Sequence, residues 1–242
     1  MMAAPAGDRT PEKVSRQPAF VMRMRPWSET SLLVDVLTRD RGRVLLRARG
    51  AKRPTSPWRG VLSEFSPLLV SWSGSSATKT LTHLEWMGDF SPREGDCLIS
   101  AFYLNELIMR LTALEDAHPG VFEAYWETLK ALAQPASAQA VETALRRFEL
   151  KLLSAAGYAL PEHFEDGEYA LEGAELVRVT GAGPASAGLR YDAEVLRRIV
   201  KQDFSAAETA RAAKSLLRAV ITAVAGDKPL RTRKILSELR HL

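Results

Sequence analysis

The sequence is poor in cysteine and has no long apolar segment. Its 242 residues include one cysteine, Cys97, which cannot form an intramolecular disulfide or supply the two or more cysteines of a standard structural zinc site. No window approaches the roughly 18 consecutive apolar residues of a transmembrane helix. Residues 1–17 contain Ala, Pro and charged residues without an apolar run, unlike a signal peptide. We therefore expect a cytoplasmic protein with a disordered tail over residues 1–17.

Catalytic and nucleotide-binding motifs are also missing. The sequence contains no G-x-x-x-x-G-K-[ST] loop, no G-x-S-x-G nucleophile elbow and no H-E-x-x-H metal-binding helix. The four histidines are scattered, and the acidic stretch around His163 is more typical of a solvated loop than of a metal site. We expect a protein that is not an enzyme and that has no cofactor, bound nucleotide or metal.

Positive charge is present and is concentrated near the N-terminus. Residues 1–90 contain 14 Lys and Arg against 8 Asp and Glu, a balance of +6, whereas the other 152 residues contain 19 against 21, a balance of −2. An uneven distribution of this kind indicates that the N-terminal third meets a polyanion.

Hydrophobic periodicity divides the chain into two parts. Between Ala19 and Met87, apolar and polar residues alternate in five short segments bounded by Pro, Gly and Ser, as half-buried strands do. Five strands in so short a segment are typical of a small closed barrel such as an OB-fold. We therefore predict an OB-fold nucleic-acid-binding domain over residues 18–90.

From Asp96 onward the apolar period is that of helices. The predicted helices cover residues 96–116, 119–133, 137–156, 192–200, 205–225 and 229–240, and Ser137 can cap the third of them. Residues 158–190 contain five glycines and a low-complexity run at 181–188, which predicts an irregular, loop-rich insert. The expected architecture is an α+β multidomain protein: a five-stranded OB-fold β-barrel, then an all-α helical bundle over residues 91–242 that carries this insert.

The strongest functional feature is the basic segment from Arg39 to Arg59. Eight of its 21 residues are Lys or Arg, and only Asp40 is acidic. In a strand, Arg43, Arg47 and Arg49 project from one face, about 7 Å apart for each two-residue step, which is comparable to the phosphate spacing of a single strand. Trp27 and Trp58 are available as stacking platforms.

A solvated outer strand face, with both tryptophans in the core, is the alternative interpretation of this segment. We favour contact with nucleic acid because single-strand binders combine a positive groove with exposed aromatic side chains. The candidate DNA-binding residues are Arg25, Trp27, Arg39, Arg41, Arg43, Arg47, Arg49, Lys52, Arg53 and Arg59.

The third predicted helix carries two stripes. One is apolar throughout and faces the core; the other consists of Arg146, Leu150 and Leu153. An arginine beside two leucines suits an acidic, apolar peptide tail, because the guanidinium takes a carboxylate while the leucines line a pocket. The alternative, which the helical pattern alone favours, is that both stripes are core and Arg146 forms an internal salt bridge.

Ten motifs, in order along the chain, resemble the bacterial RecO family of recombination mediators. They are Phe20-Val21, Arg25–Leu32, Gly42-Arg43-Val44, Arg49-Gly50-Ala51, Phe65–Leu69, Lys79-Thr80-Leu81, Tyr103–Leu107, Ala144–Leu150, Gly157-Tyr158 and Lys228–Arg233. The resemblance implies an N-terminal OB-fold, a helical C-terminal domain, binding to single- and double-stranded DNA, and annealing of complementary strands.

The resemblance also implies protein partners and a nucleoid-associated location in the cytoplasm. Members of the family act with RecR to load RecA onto DNA coated with single-strand-binding protein, whose C-terminal tail they bind through the helical domain. Arg146, Leu150 and Leu153 lie in or beside the matching motif, which favours tail binding there. Some members carry a four-cysteine zinc module, but residues 158–190 contain no cysteine, so no zinc is expected.

Two other functions remain open on the sequence. One is an RNA-binding OB module of a ribosome-linked factor. The other is an unrecognised nuclease that uses the carboxylates between Glu162 and Glu172.

Overall fold

The computed structural model describes residues 12–88, 90–92, 95–180, 189–226, 229–232 and 234–235. These residues form two compact units. The barrel unit comprises the described residues up to Pro92 together with Ala113–Phe122, which we call the strap. The helical unit comprises residues 95–112 and the described residues from Glu123 onward. The predicted change at residue 90 lies close to Pro92, but the sequence did not predict that the strap belongs to the barrel unit.

Five strands form the barrel, as the alternating pattern predicted. They are β1 (Lys13–Pro26), β2 (Leu32–Thr38), β3 (Gly42–Ala48), β4 (Pro67–Ser73) and β5 (Thr78–Trp86). The barrel closes in the order β1-β2-β3-β5-β4, with β3 and β5 parallel and the other neighbours antiparallel. The predicted OB-like barrel is confirmed.

The first strand begins earlier than the sequence predicted. Lys13 pairs with Ser73 of β4, and Gln17 pairs with Val70. The expectation of a tail over residues 1–17 is therefore wrong for residues 13–17, and residues 1–11 lie outside the described part. The alternation was obscured here because much of this stretch is polar and its register shifts between Val14 and Gln17.

Strand β3 places its residues on two faces, which positions the basic row. Val44, Leu46 and Ala48 are buried in the barrel core, so Arg43 and Arg47 point away from it.

The strap packs over the start of β3. The backbone N–H of Glu115 donates to the Arg43 carbonyl at 2.8 Å, and the Glu115 carboxylate forms an ion pair with Lys79. Gly42 has φ +64°, and a Cβ there would lie 2.0 Å from the Asp116 carbonyl oxygen. Only glycine fits this close approach.

Five helices are described: α1 (Gly95–Leu111), α2 (Pro119–Ala133), α3 (Ala138–Ala155), α4 (Ala193–Val200) and α5 (Ala207–Val224). Ser137 caps α3, as predicted, by accepting a hydrogen bond from the Ala140 N–H at 3.1 Å. Helix α1 ends before the predicted Asp116 because the strap backbone bonds to β3 instead. Half of the helix predicted over 229–240 lies outside the described residues. None of the described helices has the length and apolar character needed to cross a membrane.

The insert is more regular than predicted. Strands β6 (Glu168–Glu172), β7 (Glu175–Arg178) and β8 (Arg190–Asp192) form an antiparallel sheet in the order β7-β6-β8. The expectations of an irregular insert and an all-α unit are therefore wrong. These strands are only three to five residues long, so they are too short for a clear period-two pattern. The run at residues 181–188 lies outside the described part.

Aromatic and arginine contacts hold the sheet of the insert. Phe164 and Tyr169 pack edge to face with ring centroids 5.1 Å apart. The Arg197 guanidinium donates twice to the Phe164 carbonyl, at 3.1 and 2.8 Å. These contacts connect the start of the insert to α4.

Candidate functional site

The β2–β3 hairpin separates the basic residues into two groups. Its turn contains Arg39 and Arg41, while Arg47 and Arg49 lie near its other end. Arg47 lies six residue steps beyond Arg41 along the hairpin, which corresponds to about 20 Å. The basic residues predicted to form one row therefore lie in two different regions of the barrel surface.

Each arginine at the turn end has a carboxylate partner. Arg39 binds Asp40 at 2.9 Å, and Arg41 binds Glu12 at 2.9 Å. The Arg39 guanidinium holds the pKa of Asp40 below its ordinary value. The positive charges at this end are thus already compensated within the protein.

Arg43 is the most enclosed member of the row. It is 8% exposed and binds the buried Asp35 carboxylate through two hydrogen bonds of 2.6 and 3.2 Å. It shares the outward face of β3 with Arg47, as predicted, but this internal ion pair holds its guanidinium. The structure does not bring Arg39, Arg41 or Arg43 to the cleft described next.

An open cleft of about 400 Å³ lies at the other end of the hairpin. Its lining combines an exposed indole, three hydroxyl side chains and three guanidinium groups: Trp27, Ser28, Thr30, Ser31, Arg47, Arg49, Gly50 and Arg53. Four residues predicted from the sequence, Trp27, Arg47, Arg49 and Arg53, therefore come together here.

The cleft arginines differ from those at the turn in their partners. The ion pairs formed between described residues include none with Arg47, Arg49 or Arg53. Arg47 donates to the neutral Thr80 hydroxyl at 3.3 Å, and its buried Nε has no acceptor among the described residues. Three positive charges thus lie close together without a compensating carboxylate, an arrangement that favours a bound anion.

Lys52 and Trp58 hold the walls of the cleft together. The Lys52 backbone N–H donates to the Thr30 carbonyl at 3.0 Å, and its ammonium donates to the Ser28 carbonyl at 3.3 Å. The Trp58 indole N–H donates to the Arg49 carbonyl at 3.3 Å, while its ring packs against the barrel core. The core interpretation therefore applies to Trp58, whereas Trp27 is 51% exposed.

Two other predicted residues lie outside the cleft lining. Arg25 and Arg59 are exposed, and neither forms an ion pair with another described residue. They add positive charge to the barrel surface without contributing to the cleft walls.

A second cavity, of about 230 Å³, lies between α3 and α5 in the helical unit. It is lined by Gln139, Glu142, Thr143, Arg146, Phe204, Ala207, Ala210, Arg211 and Lys214. Lys214 binds Glu142 at 2.6 Å across the two helices. The cavity thus combines an aromatic ring and small apolar side chains with three cations.

Arg146 lines this cavity, but the two predicted leucines do not. Arg146 is 7% exposed and binds Glu149 at 2.9 Å, so it has the internal salt bridge that the alternative interpretation expected. Glu149 also accepts from the Tyr103 hydroxyl at 2.7 Å. Leu153 is fully buried and Leu150 half-buried, and both belong to the packing of the unit.

Sequence reasoning missed the side of the cavity formed by α5 and by Phe204, which lies three residues before that helix. Phe204, Arg211 and Lys214 lie more than 50 residues from Arg146, and their only sequence signal is two cations on one helical face beside small alanines. Elsewhere in the described part of the chain, no group of three His, Cys, Asp or Glu side chains is arranged to hold a metal ion.

Comparison with known families accounts for both units. Residues 13–90 match the family model for the N-terminal part of recombination protein O, and residues 93–234 match the model for its C-terminal part. The chain belongs to the RecO family. The two matches meet where the sequence changes from strands to helices.

Several RecO-family relatives are similar over nearly the whole chain. The DNA repair protein RecO of Aromatoleum aromaticum is 41% identical over 242 residues, which cover 96% of this chain and 98% of the relative. The protein of the same name from Burkholderia pseudomallei is 41% identical, covering 98% and 88%. That of Cupriavidus pinatubonensis is 40% identical, covering 100% and 84%.

Proposed function

We propose that this RecO-family protein is a recombination mediator that binds single- and double-stranded DNA and anneals complementary strands. With RecR, it helps to load RecA onto DNA coated with single-strand-binding protein. Family membership supports this proposal, and the cluster of uncompensated arginines in the barrel cleft carries it. The activity requires binding and charge neutralisation, so we assign no catalytic residue and no cofactor.

Charge explains why the cleft end of the hairpin is the DNA-binding end. A cation that neutralises a phosphate releases counterions from the DNA, which favours binding. Arg47, Arg49 and Arg53 offer this gain directly, whereas Arg39, Arg41 and Arg43 would first have to leave their carboxylates. A surface that neutralises two complementary strands also reduces their repulsion and raises their local concentration.

Annealing of two labelled complementary oligonucleotides tests this assignment. The double variant Arg49→Ala with Arg53→Ala should slow annealing, because it removes two uncompensated charges. The matched control, Arg39→Ala with Arg41→Ala, also removes two exposed arginines but leaves the cleft intact. Equal slowing by both pairs would contradict the assignment to the cleft. A matched RNA competitor that binds better than DNA would favour the RNA-binding alternative.

For the cavity between α3 and α5, we propose the acidic, apolar C-terminal tail of single-strand-binding protein as the ligand. Phe204, Ala207 and Ala210 offer apolar surface to such a tail. Arg211 is exposed and has no carboxylate partner among the described residues, so it offers a cation for the carboxylates of the tail. Lys214 and Arg146 also line the wall, but each already has a partner, Glu142 and Glu149.

Arg211→Glu is a sharper test of tail binding than a change at Arg146. Replacing Arg146 by Glu would place a second carboxylate beside the buried Glu149 and would destabilise the helical unit itself. Arg211 is exposed, and Arg218 on the same helix is an exposed control outside the cavity lining. Arg211→Glu should weaken binding of a tail peptide while annealing of bare strands continues; loss of both would contradict separate roles for the two units.

The mediator role is tested on strands coated with single-strand-binding protein. Annealing should be faster when that protein retains its C-terminal tail than when the tail is deleted, because tail binding raises the effective concentration of the mediator. RecA assembly on coated strands should require both this protein and RecR. RecA assembly at the same rate without this protein would contradict the loading role.

A further inference from the structure

The barrel cleft has the size of a small-ligand site. Its volume of about 400 Å³ lies near the lower end of the range for ligand pockets, roughly 300–1,000 Å³. An exposed indole forms part of the lining, and guanidinium groups form another part. A nucleotide has the same two components, a flat base and an anionic phosphate, and a single one is enough to occupy this volume.

The walls of the cleft are positioned before any ligand binds. Lys52 joins the turn that carries Trp27 to the loop that carries Arg53, through its backbone N–H and its ammonium. The Trp27 N–H donates to the Ser31 carbonyl at 3.0 Å, which closes the turn itself. A site whose walls are already ordered loses little entropy on binding.

One of the cleft arginines has a donor that lacks an acceptor. The Nε of Arg47 is buried and has no hydrogen-bond acceptor among the described residues. A buried donor without an acceptor is costly, and a turn of this guanidinium toward an oxyanion in the cleft would remove that cost. The phosphate of a nucleotide is such an oxyanion.

We propose that the cleft binds one unstacked nucleotide of a single strand, with its base on the Trp27 indole and its phosphates against Arg47, Arg49 and Arg53. This inference rests on the proposed DNA-binding function. A base within a duplex is stacked and paired, so it cannot lie on the indole unless the duplex opens. Duplex DNA keeps only the attraction of its backbone to the cations.

A consequence for annealing follows from this difference. Each strand binds through charge and stacking, but the duplex that forms loses the stacking contact. The cleft therefore binds the separate strands more tightly than the annealed duplex, which favours release of the duplex. Trp27 is the residue that determines this selectivity, while the arginines bind both forms.

Trp27→Ala tests the inference through the ratio of two affinities. A short single-stranded oligonucleotide should bind about five-fold or more weakly, because stacking on an aromatic side chain contributes this much per base. A duplex of the same sequence should change by less than about two-fold. Trp86→Ala is the matched control, since Trp86 is 57% exposed on β5 but does not line the cleft. Trp27→Phe should restore part of the single-strand affinity.

A second probe requires no change to the protein. An oligonucleotide of abasic sites carries the same phosphates without bases, so it should bind the unmodified protein more weakly than the normal oligonucleotide. Trp27→Ala should bind the two oligonucleotides about equally. Circular dichroism melts of Trp27→Ala that match the unmodified protein would show that the barrel is intact.

The outcomes separate this inference from the function on which it rests. In one outcome, Arg49→Ala with Arg53→Ala lowers the affinity for both single-stranded and duplex DNA, while Trp27→Ala lowers both affinities equally or changes neither. The single-nucleotide site is then wrong, and DNA binding at the cleft stands. If the arginine pair changes neither affinity, the cleft is not the DNA-binding site, and the proposed function of the barrel fails as well.

Discussion

The salt dependence of single-strand binding tests whether the uncompensated arginines contact phosphates. Each neutralised phosphate contributes about −0.7 to the slope of log K against log salt for a single strand. Arg47, Arg49 and Arg53 together should therefore contribute about −2, which weakens binding by roughly 20-fold between 50 and 200 mM salt. Arg49→Ala should reduce this to about seven-fold, because one contact is lost. Fluorescence anisotropy of a labelled oligonucleotide over this salt range measures both slopes.

The control for this experiment is the turn end of the same hairpin. Arg41 is already bound to Glu12, so Arg41→Ala should leave the slope nearly unchanged. A slope that is insensitive to Arg49→Ala would refute direct phosphate contact. A slope that flattens equally in Arg41→Ala would show that net charge matters, and that position in the cleft does not.

Three further predictions concern stability. Asp35→Ala should lower the free energy of unfolding in urea by about 3–5 kcal/mol because it leaves the buried Arg43 without its carboxylate, and a loss below about 1 kcal/mol would contradict this. For Glu106, burial raises the pKa, but hydrogen bonds from the Thr232 and Arg231 backbones outweigh it and hold the pKa below the ordinary 4.5. The stabilisation by Glu106 is therefore complete above about pH 4.5 and is lost as the pH falls through the lowered pKa, so Glu106→Gln should flatten the acid side of a melting-temperature profile. A chelator should leave the melting temperature unchanged, since the insert lacks cysteine and Arg197 connects it to α4; a fall on chelation would reveal a structural metal.

Local pattern was enough to predict the elements with strong periodicity. Arg43 and Arg47 share the predicted outward face of β3, opposite Val44, Leu46 and Ala48 in the core, because successive side chains in a strand point to opposite faces. Ser137 was predicted to cap α3 from residue type and position, because capping depends on neighbours within one helical turn. The short strands of the insert lacked such a signal and were missed.

The candidate sites were predicted only in part. The ten predicted residues include the indole and the three arginines of the cleft but none of its hydroxyl side chains. Apart from Asp40, nothing in the sequence separated Arg47 and Arg49 from Arg39 and Arg41. That separation depends on partners such as Glu12 and on the direction of the hairpin. The cavity near Arg146 likewise depends on residues of α5 that no local pattern connects to α3.

The amino-acid sequence alone determined that a five-stranded barrel precedes a mainly helical region, the inward and outward faces of β3 and the sign of the charge near the N-terminus. These properties arise from residues close together in the chain. Tertiary structure decided which positive charges remain available, because ionic partners meet only when distant segments fold together. Asp35 holds Arg43 across two paired strands, Glu12 holds Arg41, and the arginines beside Trp27 have no such partner in the described part of the protein.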